Sequence, residues 1–69
     1  MLCMEIVLNG QAKTLAGPLS VAALVAELGF AGKRIAVERN GEIVPKSAHA
    51  QVMIVAGDRL EIVVAVGGG

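Results

Sequence analysis

Apolar and polar residues alternate near the start of this chain and again near its end. In "MEIVLNGQAKTL", Met4, Ile6 and Leu8 alternate with Glu5 and Val7, and Asn9-Gly10 supplies a turn. That pattern predicts a β-hairpin. A strict two-residue loop puts Lys13 on the face of Ile6. A three-residue loop with a left-handed Gly10 puts Ala12 there instead, so the expected form is the bulged one.

After Pro18 the period changes. Val21, Leu24, Val25 and Leu28 fall at i, i+3, i+4 and i+7, one stripe of a short helix over "VAALVAEL". Ser20 stands where an N-cap is wanted and Gly29 where a left-handed C-cap is wanted. Phe30 is placed to fold back on Val25. Two helical turns are marginal alone, so the helix must lie across a sheet.

Alternation returns in "IAVERNGEIVP". Asn40-Gly41 suits a type I′ turn, which pairs Val37 with Val44 and sets Arg39 opposite Glu42 as a cross-strand charge pair. Pro45 marks a strand end or a sheet edge. "KSAHAQVMIV" reads as a turn of helix followed by a short edge strand. Gly57-Asp58 then turns the chain into "RLEIVVAV", where Leu60, Ile62 and Val64 alternate with Glu61, Val63 and Ala65. So apolar a final strand belongs in the middle of the sheet, parallel to the first. The expected fold class is α+β: a β-grasp (ubiquitin-like) domain with a mixed four- to five-stranded sheet and one helix packed across it. The domain is expected over residues 1–66, with 67–69 as a flexible glycine tail.

Composition narrows the chemistry. At 69 residues, 55% apolar and with one aromatic, the chain holds one domain stabilised by aliphatic packing. Six cations balance six anions, which argues against nucleic acid, a partner that calls for a basic patch or stripe. No apolar run nears the roughly 20 residues that span a membrane. "MLCMEIVL" has no basic start and carries Glu5, so no signal peptide is read and the cytosol is the expected compartment. Cys3 is the only thiol and His49 the only histidine, without partners at metal-ligand or catalytic spacing. No metal is expected; His49 reads as a loop residue, Cys3 as incidental, and Lys33-Arg34 as a solvated loop, with partner docking as the alternative. Glu38, Glu42 and Glu61 read as solvated or cross-strand charges.

Two features remain. If Leu60, Ile62 and Val64 face the helix, then Val7, Val63 and Ala65 face away from it, as a candidate partner surface. The second feature is the end, Gly67, Gly68 and Gly69. Glycines without Cβ atoms fit a channel too narrow for other residues. A terminal carboxylate, with a pKa of about 3.3–3.7, is anionic near neutrality and can attack an activated phosphorus.

In "MEIVLNG", "ERNGEIVP", "GDRLEIVVAV" and the final "GG", in that order and spacing, the chain resembles the sulfur carrier proteins of thiamine biosynthesis. The resemblance covers nearly the whole chain from Met4. It implies a carrier that is not itself an enzyme and binds no cofactor. A ubiquitin-activating-like adenylyltransferase would use ATP to convert the Gly69 carboxylate to an acyl-adenylate. Sulfur from a cysteine desulfurase relay would then displace AMP, leaving a thiocarboxylate that donates sulfur to thiazole synthase. The modified glycine falls on Gly69 and its partner glycine on Gly68. Met1–Cys3 precedes the family's usual start, and a histidine common two residues before the pre-glycine valine is Val64 here. Two alternatives stand beside this reading. One is the small subunit of a molybdopterin synthase, also a sulfur carrier; the other is a β-grasp interaction module with an inert tail.

Overall fold

The three most regularly alternating segments become the three central strands of one sheet. The structure is a computed structural model and describes residues 3–65. Its strands are β1 (Met4–Leu8), β2 (Gln11–Leu15), β3 (Leu19–Ser20), β4 (Ile35–Arg39), β5 (Glu42–Val44), β6 (Met53–Ile54) and β7 (Arg59–Val64). The helix α1 (Val21–Glu27) lies between β3 and β4, and a 3-10 turn at Lys46–Ala48 follows β5. Five strands pair in the order β2-β1-β7-β4-β5, and β3 with β6 forms a separate two-stranded ribbon. β1 and β7 run parallel while β7 and β4 run antiparallel, so the sheet is mixed and its last strand is central. This is the expected β-grasp.

Both Asn-Gly turns are two-residue loops with left-handed backbones. Asn9 and Gly10 have φ of 51° and 82°, and Asn40 and Gly41 have 53° and 86°. The second turn gives the expected register, Val37 opposite Val44 and Arg39 opposite Glu42. The first does not take the expected bulged form: Ile6 lies opposite Lys13. The reason is the position of β2 at the sheet edge. There a lysine can lay its aliphatic stem along apolar surface and keep its ammonium in water, and Lys13 is accordingly half-buried.

Helix α1 ends as its sequence predicts. Ser20 Oγ accepts from the Ala23 amide at 3.0 Å. The two preceding amides are met from a distant loop: Val21 N–H donates to the Val52 carbonyl at 2.9 Å and Ala22 N–H to His49 at 2.8 Å. At the other end Gly29, at φ 83°, donates to Ala26, and Phe30 N–H donates to the Val25 carbonyl at 3.0 Å. These two bonds make a Schellman cap. Val21, Leu24 and Val25 are buried against Ile6, Val37, Leu60 and Ile62, with Ile54 closing one side.

Arg39 departs from the cross-strand pairing with Glu42. Its Nε donates to Asp58 Oδ2 at 2.8 Å, the only ion pair among the described residues. Asp58, 5% exposed, also accepts from Asn40 Nδ2 at 3.2 Å and from the Val55 amide at 3.0 Å. A buried carboxylate with three donors outcompetes a pairing with the solvent-exposed Glu42.

Candidate functional site

The face of the sheet opposite α1 is built by strand alternation. On β7 the core side takes Leu60 and Ile62, leaving Arg59, Glu61 and Val63 outward. Val63 is 62% exposed, Ala65 is exposed and Val7 is half-buried. The outward parity of the three candidate residues is therefore as expected. Their spacing is a different matter. Val63 lies beside Ala36 of β4, whereas Val7 lies beside Arg59, four residues back along β7. Arg59 and Glu61 separate the two valines, which do not form one apolar cluster. Val63 and Ala65 stand together at the end of β7.

The same face holds Ile43, 64% exposed, on β5 opposite Glu38. It is not among the residues expected on this face, although the sequence carries its signal. Val44 faces the core, so its neighbour Ile43 had to face out. Glu38 in turn lies opposite Glu61 across β4 and β7.

Side chains from both turns fix the line of β7. Asn9 Oδ1 accepts from the Ile62 amide at 2.8 Å, and Asn9 Nδ2 donates to the Ile62 carbonyl at 3.2 Å. Asn40 Oδ1 accepts from the Arg59 amide at 2.9 Å. At the strand's exit, Ala65 N–H donates to the Arg34 carbonyl at 2.8 Å. The chain is thus held as far as Ala65, beyond which Gly67, Gly68 and Gly69 lie outside the described residues.

The other titratable residues take structural places. Burial alone would raise the Asp58 pKa, but the hydrogen bonds from Arg39, Val55 and Asn40 and the Arg39 charge hold it below the usual carboxylate value. His49 sits in a loop, as expected, yet is buried. Its Nε2 is 3.1 Å from the Val44 carbonyl, which can only accept, so that nitrogen carries the proton. Cys3 is exposed and unpaired. Among the described residues no group of three or more His, Cys, Asp or Glu side chains could hold a metal. No helix there is long and apolar enough to cross a membrane. What these residues offer is an outward sheet face with exposed aliphatic side chains and a strand held as far as Ala65.

The family model described as the ThiS family matches residues 6–69. The chain belongs to the ThiS family. ThiS proteins are ubiquitin-like sulfur carriers of thiamine biosynthesis, and this chain shares their fold closely. The crystal structure of the thiamine biosynthesis protein ThiS from Geobacter metallireducens superposes with a TM-score of 0.82 at 32% identity, covering 96% of this chain and 100% of that one. The solution structure of a thiamine biosynthesis protein from the same organism gives 0.79, also at 32% identity, covering 96% and 88%. Two curated relatives are thiazole synthases. That of Paramagnetospirillum magneticum is 50% identical over 66 residues and that of Magnetococcus marinus 35%, each covering 96% of this chain. The ThiS-family chain spans 20% of the length of each. An uncharacterized protein, ycf40, of Porphyra purpurea is 35% identical over 94% of this chain and 92% of its own length.

Proposed function

We propose that this ThiS-family chain carries sulfur for the thiazole ring of thiamine on the carboxyl group of Gly69. The carboxylate attacks the α-phosphorus of ATP on a ubiquitin-activating-like adenylyltransferase, expelling pyrophosphate. A persulfide on a cysteine desulfurase relay displaces AMP, a second thiol reduces the acyl disulfide so formed, and the resulting thiocarboxylate is consumed by thiazole synthase. The carrier performs no catalysis, binds no cofactor of its own and works in the cytoplasm.

The observation that carries this reading is the central, doubly clamped β7. It runs from Arg59 to Val64 and is held at Ala65, two residues before Gly67, Gly68 and Gly69 in the sequence. A tail that reaches into another protein's active site needs such a fixed root. Ordering flexible glycines costs roughly 1–2 kcal/mol per residue in backbone entropy. Affinity therefore has to come from the folded body, where Val63 and Ala65 stand nearest the root. The match of a like segment to two thiazole synthases supports thiazole synthase as the sulfur acceptor.

Intact-mass measurement tests the proposal. After incubation with ATP, an adenylyltransferase of the stated kind and a sulfur donor, the chain should gain the mass that replaces one oxygen by sulfur. The same incubation without ATP should leave the mass unchanged. A chain that stays unmodified with all three components present overturns the reading and leaves an interaction module.

A further inference from the structure

A small cavity lies beneath the carboxyl end of α1, of about 130 Å³, with Val25, Phe30 and Ile35 among its walls and Lys33, Arg34 and Lys46 around it. Three of the chain's six cations therefore converge on one hollow, and none of its six acids lines it. Among the described residues none of these three cations is in an ion pair, since the single pair joins Arg39 and Asp58. Nor are they needed to cap the helix. The carbonyls of Leu24, Val25 and Ala26 already accept from Leu28, Phe30 and Gly29.

The cavity is preformed. Phe30 is held by the hydrogen bond from its N–H to the Val25 carbonyl, Lys33 N–H donates to the Phe30 carbonyl at 3.0 Å, and the buried His49 makes a further wall. Its size decides what it can take. Sites for cofactors and other small molecules run to roughly 300–1,000 Å³, so about 130 Å³ suits a single large side chain. Apolar walls argue against a bare inorganic anion, and the surrounding cations argue for carboxylates beside the apolar group.

We propose that this cavity is a docking site for an acidic segment of a partner protein, which seats one apolar side chain against Phe30 and sets flanking carboxylates on Lys33, Arg34 and Lys46. The site is independent of the sulfur-carrier reading and would hold for an interaction module as well. Its position adds one relation, since Arg34 also accepts the Ala65 amide where β7 ends. A segment bound here sits at the root of the glycine tail.

The test is an amide NMR titration of the full chain with the peptide acetyl-Glu-Leu-Glu-amide. Shifts should concentrate at Gly32, Lys33, Arg34, Ile35, Lys46 and His49. Acetyl-Lys-Leu-Lys-amide and acetyl-Glu-Ser-Glu-amide should each bind about tenfold or more weakly. Raising salt from about 0.05 M to about 0.5 M should weaken the acidic peptide markedly, because the cations are exposed. The double variant Lys33→Glu/Lys46→Glu should keep the dispersed amide spectrum and lose the response. An equal response to the lysine peptide, an unchanged response in the double variant, or shifts spread over other surfaces would overturn the proposal. So would a response to succinate as strong as that to the peptide, which would make the cavity a small-anion site.

Discussion

The side-chain amide of Asn9 pairs with both backbone groups of Ile62, accepting at 2.8 Å and donating at 3.2 Å. The parallel register of β1 and β7 aligns Val7 with Arg59 and Leu8 with Leu60. The Asn9 N–H still donates to the Leu60 carbonyl at 2.8 Å, and its side chain carries the pairing on to Ile62. Asparagine serves twice here, since it also tolerates the left-handed φ of 51° that the turn requires.

Substituting Asn9→Gly separates the two roles. Glycine keeps the turn conformation and removes the amide, so the loss reports the two bonds to Ile62. At about 0.5–1.5 kcal/mol for each hydrogen bond, the variant should lose about 1–3 kcal/mol. Urea denaturation followed by circular dichroism reads this directly. A variant as stable as the parent would show that the clamp contributes nothing net.

Asp58 gives the fold a specific acid sensitivity. Its folded pKa lies below the ordinary carboxylate value. The stability it adds is therefore fully present above the unfolded value of about 3.9 and is lost as pH falls through the lower folded one. Replacing Asp58→Ala should remove that stretch of the acid-unfolding curve. The variant should also lose about 1–3 kcal/mol at neutral pH, because the Val55 amide is left without an acceptor. Thermal melts between about pH 2 and pH 7 check both parts.

Val63→Asp tests the outward face. Because the residue is 62% exposed, the substitution removes no core contact and the domain should stay folded. Binding to the adenylyltransferase should weaken by about tenfold or more, that is about 1.4 kcal/mol or more. Val7→Asp should weaken it less, since Val7 lies beside Arg59 and away from the exit of β7. Equal effects at the two positions would mean that the partner covers the whole face. An unfolded Val63→Asp would reverse the assignment of faces.

Changes in the tail should affect turnover more than docking. Gly68→Ala adds one methyl group where the partner's channel is proposed to fit bare backbone. Removing Gly69 withdraws the carboxylate by up to about 3.5 Å, enough to lose the roughly 3–3.5 Å approach that attack requires. Both variants should bind the adenylyltransferase normally, while ATP–pyrophosphate exchange falls sharply. Full exchange by the chain lacking Gly69 would show that the carboxylate of that residue is not the group adenylated.

What could be read from the sequence was whatever local pattern controls. The stripe of Val21, Leu24 and Val25, the cap at Gly29 and the Asn40-Gly41 register all follow from neighbours a few residues apart. The central place of β7 followed from its apolar density. Long-range choices were less visible. Arg39 had a good local partner in Glu42 and took Asp58, 19 residues away, because burial and two further donors favour that carboxylate. Lys13 misled for the opposite reason, since an edge strand forgives a lysine on the core side. The outward parity of Val63 was legible. The separation of Val63 from Val7 was not, because it depends on the stagger between β1 and β7.

That parallel pairing also governs the order in which the domain can form. Its two central strands come from opposite ends of the chain, and Asn9 and Ile62 stand 53 residues apart. Hairpins and helix can appear early and locally. Closing so long a loop comes late, and its entropy cost must be met before the central contacts return anything. A nascent chain that has not yet reached β7 has no partner for one side of β1 and no centre for its core. The fold is therefore completed only when nearly all of it has been synthesised, so that the strand bearing the glycine end is also the one that closes the domain.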